Sequence, residues 1–170
     1  MRRLDGATTV TDASLLDPYQ PELRILGERS PNVLVEGPVA VTNAVLLLLQ
    51  PHIREPILSN RPQGPLELPS SETRTLILRD VGALNGEDQR RLLEWLGGTG
   101  SHTQVLSTTE HSLFACASGG LFDIALYYRL NVMLLHVGSM NPPDLQCDDA
   151  ERLHRRTDDP APEDSTLQGA

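Results

Sequence analysis

Asp80 closes the apolar run Thr75-Leu76-Ile77-Leu78, and Thr108 and Thr109 close another ending at Leu106. A carboxylate at the end of one buried strand, with hydroxyls at the end of the next, could take up a phosphoryl group. No lysine exists, because all 14 basic residues are arginine. Any mechanism that needs an ammonium on a flexible stem is therefore disfavoured. Arg79 and Asp80 are expected as partly exposed strand-end charges bridged to neighbours. Gly37, followed by a helix starting near Thr42, forms a generic anion site of backbone amides. His111 lies near Ser107, Ser112 and Cys116, the residue types of a base and its nucleophile, but nothing supplies a strained turn or oxyanion donors. His52, His102, His111, His136 and His154 show no metal-ligand spacing. No metal and no cofactor is expected, and no catalytic residue is assigned.

The elements that would position these groups alternate. Asn32 to Val35 is a short apolar strand ended by Glu36-Gly37-Pro38, and a helix follows from Val41 to Gln50, capped by Thr42 or Asn43 and closed by Pro51. Glu55 to Leu58 is a second strand, whose proline suits a sheet edge. Residues 60–71, with Pro62, Gly64, Pro65 and Pro69, form a loop. Thr75 to Leu78 is the clearest central strand. A helix starts at Asn85, carries Leu92, Leu93 and Leu96 on its inner face with Trp95 half-buried beside them, and stops at Gly97-Gly98. His102 to Leu106 is a strand, Ser112 to Ala117 a helix, and Val132 to Leu135 a short buried strand. Strands alternating with helices predict parallel strands joined by crossovers, hence a three-layer α/β domain with a mainly parallel five-stranded sheet.

Within that order one stretch concentrates aromatic rings. Only 4% of the chain is aromatic, yet Phe122, Tyr127 and Tyr128 fall within seven positions. Phe122 and Leu126 have the spacing of one helix face. One of the two tyrosines is expected in the core and the other toward solvent or a partner. Arg129 is expected to pair with a carboxylate such as Asp123 or Asp80.

A net charge of -9 disfavours direct nucleic-acid binding, since phosphate contacts require a positive face. No apolar run approaches the roughly 20 residues of a spanning helix, and no leader follows Met1-Arg2-Arg3, so a cytoplasmic location without membrane attachment is expected. Residues 1–30 are expected as a poorly ordered extension with a short helix from Pro21 to Leu26, residues 31–138 as the domain, and residues 139–170 as an acidic disordered tail. Cys116 and Cys147 are expected as buried or idle thiols, and any bridge between them would tie the domain to the tail.

The stretch Gly119 to Val132 resembles the end of the AAA+ ATPase domain of sigma-54-dependent transcriptional activators. Gly120, Phe122, Leu126, Tyr127, Tyr128, Arg129, Leu130, Asn131 and Val132 match that family's pattern. The resemblance extends over residues 32–137. Thr75 to Leu84 is similar to the Walker B strand, and Thr109 to Leu113 to the end of the sensor strand, with Glu110 where a polar asparagine is expected. What the resemblance implies about activity is mostly loss. Gly37-Pro38-Val39-Ala40-Val41-Thr42-Asn43-Ala44 stands for the phosphate loop, with Asn43 at the lysine position. Pro38 lacks an amide donor there. Arg79 replaces the metal-binding aspartate, Asp123 replaces the arginine finger, and Ala125 stands where the family has an aspartate.

The spacing between Gly37 and Arg79 is too short for the family's Gly-Ala-Phe-Thr-Gly-Ala loop, which contacts the sigma factor. A truncated P-loop NTPase core without lid or helix-turn-helix is therefore expected. Its expected role is a non-catalytic, protein-binding module in bacterial transcription regulation or signalling, able to self-associate. Asp80, Phe122, Asp123, Tyr127, Tyr128 and Arg129 are the interaction candidates. Two alternatives stand beside it. One is a nucleotide (ATP) binder retaining the sigma-54 activator scaffold and using Gly37, Thr42 and Asn43. The other is a partner domain in which Asp80, with Thr108 or Thr109, resembles the layout of a response-regulator receiver; that resemblance also implies an early acidic pair and a lysine, and without a lysine phosphorylation at Asp80 is disfavoured.

Overall fold

The computed structural model describes residues 13–60, 66–69 and 72–138. Strands β1 (Val33–Glu36), β2 (Ile57–Asn60), β3 (Thr75–Leu78), β4 (Gln104–Thr109) and β5 (Met133–His136) form one sheet in the order β2-β3-β4-β1-β5. Every pairing is parallel. β1, β3 and β4 are buried along their whole length, as strands covered on both faces must be. Successive side chains of each strand serve opposite layers. Leu34, Leu76, Leu78 and Val105 face α3 (Gly86–Gly97), α4 (Leu113–Ser118) and α5 (Ile124–Leu130). Val33, Val35, Ile77 and Leu106 face α1 (Gln20–Arg29) and α2 (Val39–Leu49). The three layers and the parallel five-stranded sheet are those expected.

Several boundaries differ for identifiable reasons. α2 begins at Val39, directly after Pro38, and neither Thr42 nor Asn43 caps it. The Thr42 hydroxyl instead donates to the Val39 carbonyl at 3.1 Å, inside the first turn. β4 runs on through Thr109, because Thr108 and Thr109 lie in register with Val35 and Glu36 of β1. Trp95 is 8% exposed rather than half-buried. The chain around Leu66 to Pro69 passes over it, and the indole N–H donates to the Pro69 carbonyl at 3.3 Å. Gly100 makes room for that ring, since a Cβ there would lie 2.4 Å from it. β5 is an edge strand with one buried residue, Leu135, not a core strand. Phe122 precedes α5, so the expected helical pairing with Leu126 does not occur, although both side chains enter the same core.

Residues 13–29 correct the expectation of a loose extension. A 3-10 turn over Ala13–Tyr19 leads into α1, and Leu16, Leu23 and Leu26 join the core behind β1 and α2. Pro21 in the first turn is compatible with helix entry. The apolar positions 16, 23 and 26 are too widely spaced to announce themselves without the sheet face they cover. Cys116 is a second correction. It is buried, and its sulfur is disulfide-bonded rather than an idle thiol. The other half of that bond, the proposed tail 139–170 and residues 61–65 lie outside the described residues.

Leu26 is 1% exposed, so Leu26→Ala should lower stability by about 2–5 kcal/mol, measured by urea unfolding. A loosely attached extension would give a change near zero.

Candidate functional site

In a parallel sheet the crevice lies at the carboxyl ends of the strands, where neighbouring strands send their connections to opposite faces. Here β1 leads to α2 on one face, while its neighbour β4 leads to α4 on the other. The residues meeting at that point are Glu36 at the end of β1 with Gly37 after it, Thr108 and Thr109 at the end of β4 with Glu110 and His111 after it, Arg79 and Asp80 after β3, and His136 at the end of β5.

Gly37 is held by close backbone approach. Its N–H donates to the Thr109 carbonyl at 3.0 Å, its φ is +155°, and a Cβ would sit 2.1 Å from the Val137 carbonyl oxygen. Beyond Pro38, which offers no N–H, the first free amide of α2 is that of Val39. It donates to Glu110 Oε1 at 3.1 Å. The positive end of α2 therefore already faces a carboxylate from a residue 71 positions away. Asn43 Oδ1, one turn along α2, accepts a hydrogen bond from the Arg79 guanidinium. Arg79 thus meets a neutral amide, and it makes no ion pair with a carboxylate among the described residues.

Two carboxyls in this crevice sit above their ordinary range. Glu36 is 2% exposed, and burial pushes it up, opposed by the Leu113 amide and by His136. Its Oε1 accepts the Leu113 N–H at 3.0 Å, while Oε2 lies 3.2 Å from His136 Nδ1. One carboxylate thereby joins the start of α4 to the end of β5. Asp80 is raised by burial and by nearby Glu110, opposed by His111. Its backbone is left-handed at φ +51°, and its N–H donates to Thr108 Oγ1 at 3.2 Å. No group of three His, Cys, Asp or Glu among the described residues could hold a metal ion.

The remaining sequence candidates lie on the α3–α5 side. Asp123 caps α5, its Oδ1 accepting the Leu126 N–H at 2.9 Å. Its own N–H donates to Gln89 Oε1 at 2.8 Å, locking α5 to α3. Phe122 is buried. Tyr127 is buried too, packs 5.6 Å from Phe114 and 5.2 Å from Tyr128, and its hydroxyl accepts from Asn131 at 2.6 Å. Tyr128 is 63% exposed, so the division of the two tyrosines is the one expected. Arg129 corrects its expectation. It is exposed and pairs with neither Asp123 nor Asp80. A cleft of about 320 Å³ between α3 and the entry to α5 is lined by Gly86, Gln89, Arg90 and Gly120 to Asp123.

Gly37, Thr42, Asn43 and Asp80 thus gather at the sheet edge, while Phe122, Asp123, Tyr127, Tyr128 and Arg129 form a separate group on and just before α5. Sequence reasoning missed Glu36, Gln89 and His136. The only signal for Glu36 is its place between three apolar strand residues and Gly37-Pro38.

A family model described as the sigma-54 interaction domain matches residues 50–140. The chain belongs to the sigma-54 interaction domain family. Among solved structures, NtrX from Brucella abortus in complex with ADP aligns with a TM-score of 0.58 at 20% identity, over 79% of this chain and 37% of that one. NtrX in complex with ATP aligns with a TM-score of 0.55 at 21% identity, over 70% and 35%. The P-loop NTPase domain of the sigma-54 transport activator from E. coli aligns with a TM-score of 0.51 at 15% identity, over 76% of this chain and 99% of that domain. A comparison with curated proteins finds no match. The fold of this sigma-54 interaction domain is therefore that of a P-loop NTPase, and the chain spans well under half the length of NtrX. No helix among its described residues is long and apolar enough to cross a membrane.

Asp80→Asn should raise the melting temperature at neutral pH, because a carboxyl raised by burial is more stable protonated, and asparagine tolerates the left-handed backbone. The contribution of Asp80 is complete below the ordinary carboxylate range and lost as pH rises through the folded value. The gain in the variant should therefore shrink as melts are run from about pH 8 down to about pH 4. Asp123→Ala should cost about 1 kcal/mol in denaturant unfolding through loss of the α5 cap.

Proposed function

We propose that this sigma-54 interaction domain is a degenerate, non-catalytic module that binds another protein in bacterial transcription regulation or signalling. Two of the solved structures it resembles contain ADP or ATP. The observation that carries the opposite reading for this chain is the Glu110 carboxylate on the Val39 amide at 3.1 Å. A phosphate chain entering there would meet a like charge at the one place where amides and helix dipole favour an anion. Three further substitutions support the reading. Asn43 at the lysine position accepts from Arg79, which stands at the metal-binding position and would repel magnesium. Asp123, at the arginine-finger position, carries the wrong charge for a γ-phosphate and serves as a helix cap.

Protein binding is favoured over direct nucleic-acid contact by the net charge of -9. The family relation makes sigma-54 or RNA polymerase the first partner class to test. With no room for the family's sigma-contacting loop, contact would run through another surface. The exposed Phe114, Ile124 and Tyr128 near the buried Tyr127 suit such a contact or self-association. A cytoplasmic location follows from the same reading.

Isothermal titration of the purified chain with ATP and magnesium should give no heat beyond dilution, and a coupled assay no phosphate release. Micromolar affinity or measurable turnover would overturn the proposal in favour of a nucleotide binder.

A further inference from the structure

The cleft of about 320 Å³ between α3 and the entry to α5 lies at the small end of the range of ligand-binding clefts. Two of the residues lining it are glycines. A Cβ added to Gly86 or to Gly120 would meet no atom within 4 Å, so the space stands open beside bare backbone. Phe122, buried in the core, and the half-buried Leu121 give the cleft its apolar lining. Gln89 holds the two sides together. Its side-chain amide donates to the Leu84 carbonyl at 2.7 Å and to the Leu121 carbonyl at 3.3 Å, and its Oε1 accepts the Asp123 N–H at 2.8 Å. The cleft is therefore preformed, and an entering group need not order its walls.

Charge decides what suits it. Arg90 lines the cleft, is exposed, and makes no ion pair among the described residues. Asp123 lines it too, but its Oδ1 accepts the Leu126 N–H at 2.9 Å and its charge rests on the positive end of α5. The guanidinium is thus the charge left to be met from outside. Beyond the cleft the apolar surface continues. Ile124 follows directly on Asp123, and Tyr128 lies one turn further along α5, at 45% and 63% exposure. A small molecule in the cleft would leave that surface bare, whereas a peptide segment covers both.

We propose that the α3–α5 cleft docks an acidic segment of a partner protein, which inserts one large apolar side chain against Leu121 and Phe122 while a neighbouring carboxylate pairs with Arg90. The assignment rests on the protein-binding reading above and names the chemistry that partner carries. The apolar side chain supplies most of the affinity, because it is the group removed from water. The ion pair at the exposed rim supplies less, and it selects acidic over basic segments. Ile124 and Tyr128 cover the segment where it leaves the cleft. None of the residues that meet at the carboxyl ends of the strands lines this cleft, so occupancy of one site does not require the other.

A short fluorescent peptide with a leucine between aspartates should bind the full chain in the high micromolar range, read by anisotropy, and should shift the amide NMR signals of Gln89, Gly120 and Asp123. Replacing its leucine by alanine should weaken binding on the order of 10-fold or more. Gly86→Leu fills the cleft from a position where a Cβ meets nothing, and leucine suits a helix better than glycine. That variant should lose the peptide while melting no lower than the wild type. Arg90→Gln should weaken binding roughly 3-fold, as should asparagines in place of the peptide's aspartates. The two changes together should cost no more than either alone, since both remove the same ion pair. Additive losses, undiminished binding to Gly86→Leu, or no binding at millimolar peptide would overturn the assignment. The nucleotide titration reads separately. Peptide failure without ATP binding removes the cleft and leaves the protein-binding reading, whereas ATP binding alongside a peptide seated in the cleft overturns the degenerate, non-catalytic reading alone.

Discussion

A carboxyl group taken almost wholly out of water at the end of β1 organises this domain. Glu36 can be buried there because an amide N–H and an imidazole meet its two oxygens, and these come from elements 77 and 100 residues further along. The same bridge fixes where α4 begins and where β5 ends. Gly37 then turns so close to the Val137 carbonyl that no side chain fits. At the carboxyl edge β1 is therefore held to α4 and to the end of β5 by these contacts.

Within that crevice the groups that would greet a nucleotide are turned on one another. Glu110 takes the first free amide of α2, and Asn43 takes Arg79. Each contact joins α2 to residues that follow a different strand, Glu110 after β4 and Arg79 after β3. Asp80, in a left-handed conformation above β3, faces Glu110 and His111 and is stabilised in its protonated form. The proposed protein-binding role rests on these two contacts, in which the chain's own side chains meet the first amide of α2 and the Arg79 guanidinium.

The other face obeys a different rule. Gln89 ties α3 to the entry of α5 by accepting the Asp123 N–H, and it also donates to the Leu84 carbonyl at 2.7 Å. Asp123 caps the helix with its carboxylate. These contacts explain how a short α5 of seven residues is held in place while Tyr128 and Ile124 on it remain exposed. A helix that short draws its stability from its cap and from Leu126 and Leu130 in the core, not from propensity.

The alternation of apolar runs with helical segments, and the letters from Phe122 to Val132, determined the α/β class, the parallel sheet and the relation to sigma-54 interaction domains. Those signals are local or lie in short stretches, so the chain displays them before it folds. The interior place of β3, the edge place of β2 and the split between Tyr127 and Tyr128 were legible for the same reason. Only the tertiary structure decided that α1 belongs to the core, that Trp95 is covered, and that Arg129 pairs with neither Asp123 nor Asp80. It alone brought Glu36 to His136 and Glu110 to the Val39 amide. Each of these depends on strands distant in sequence becoming neighbours, and no periodicity along one segment encodes which face a remote segment will cover.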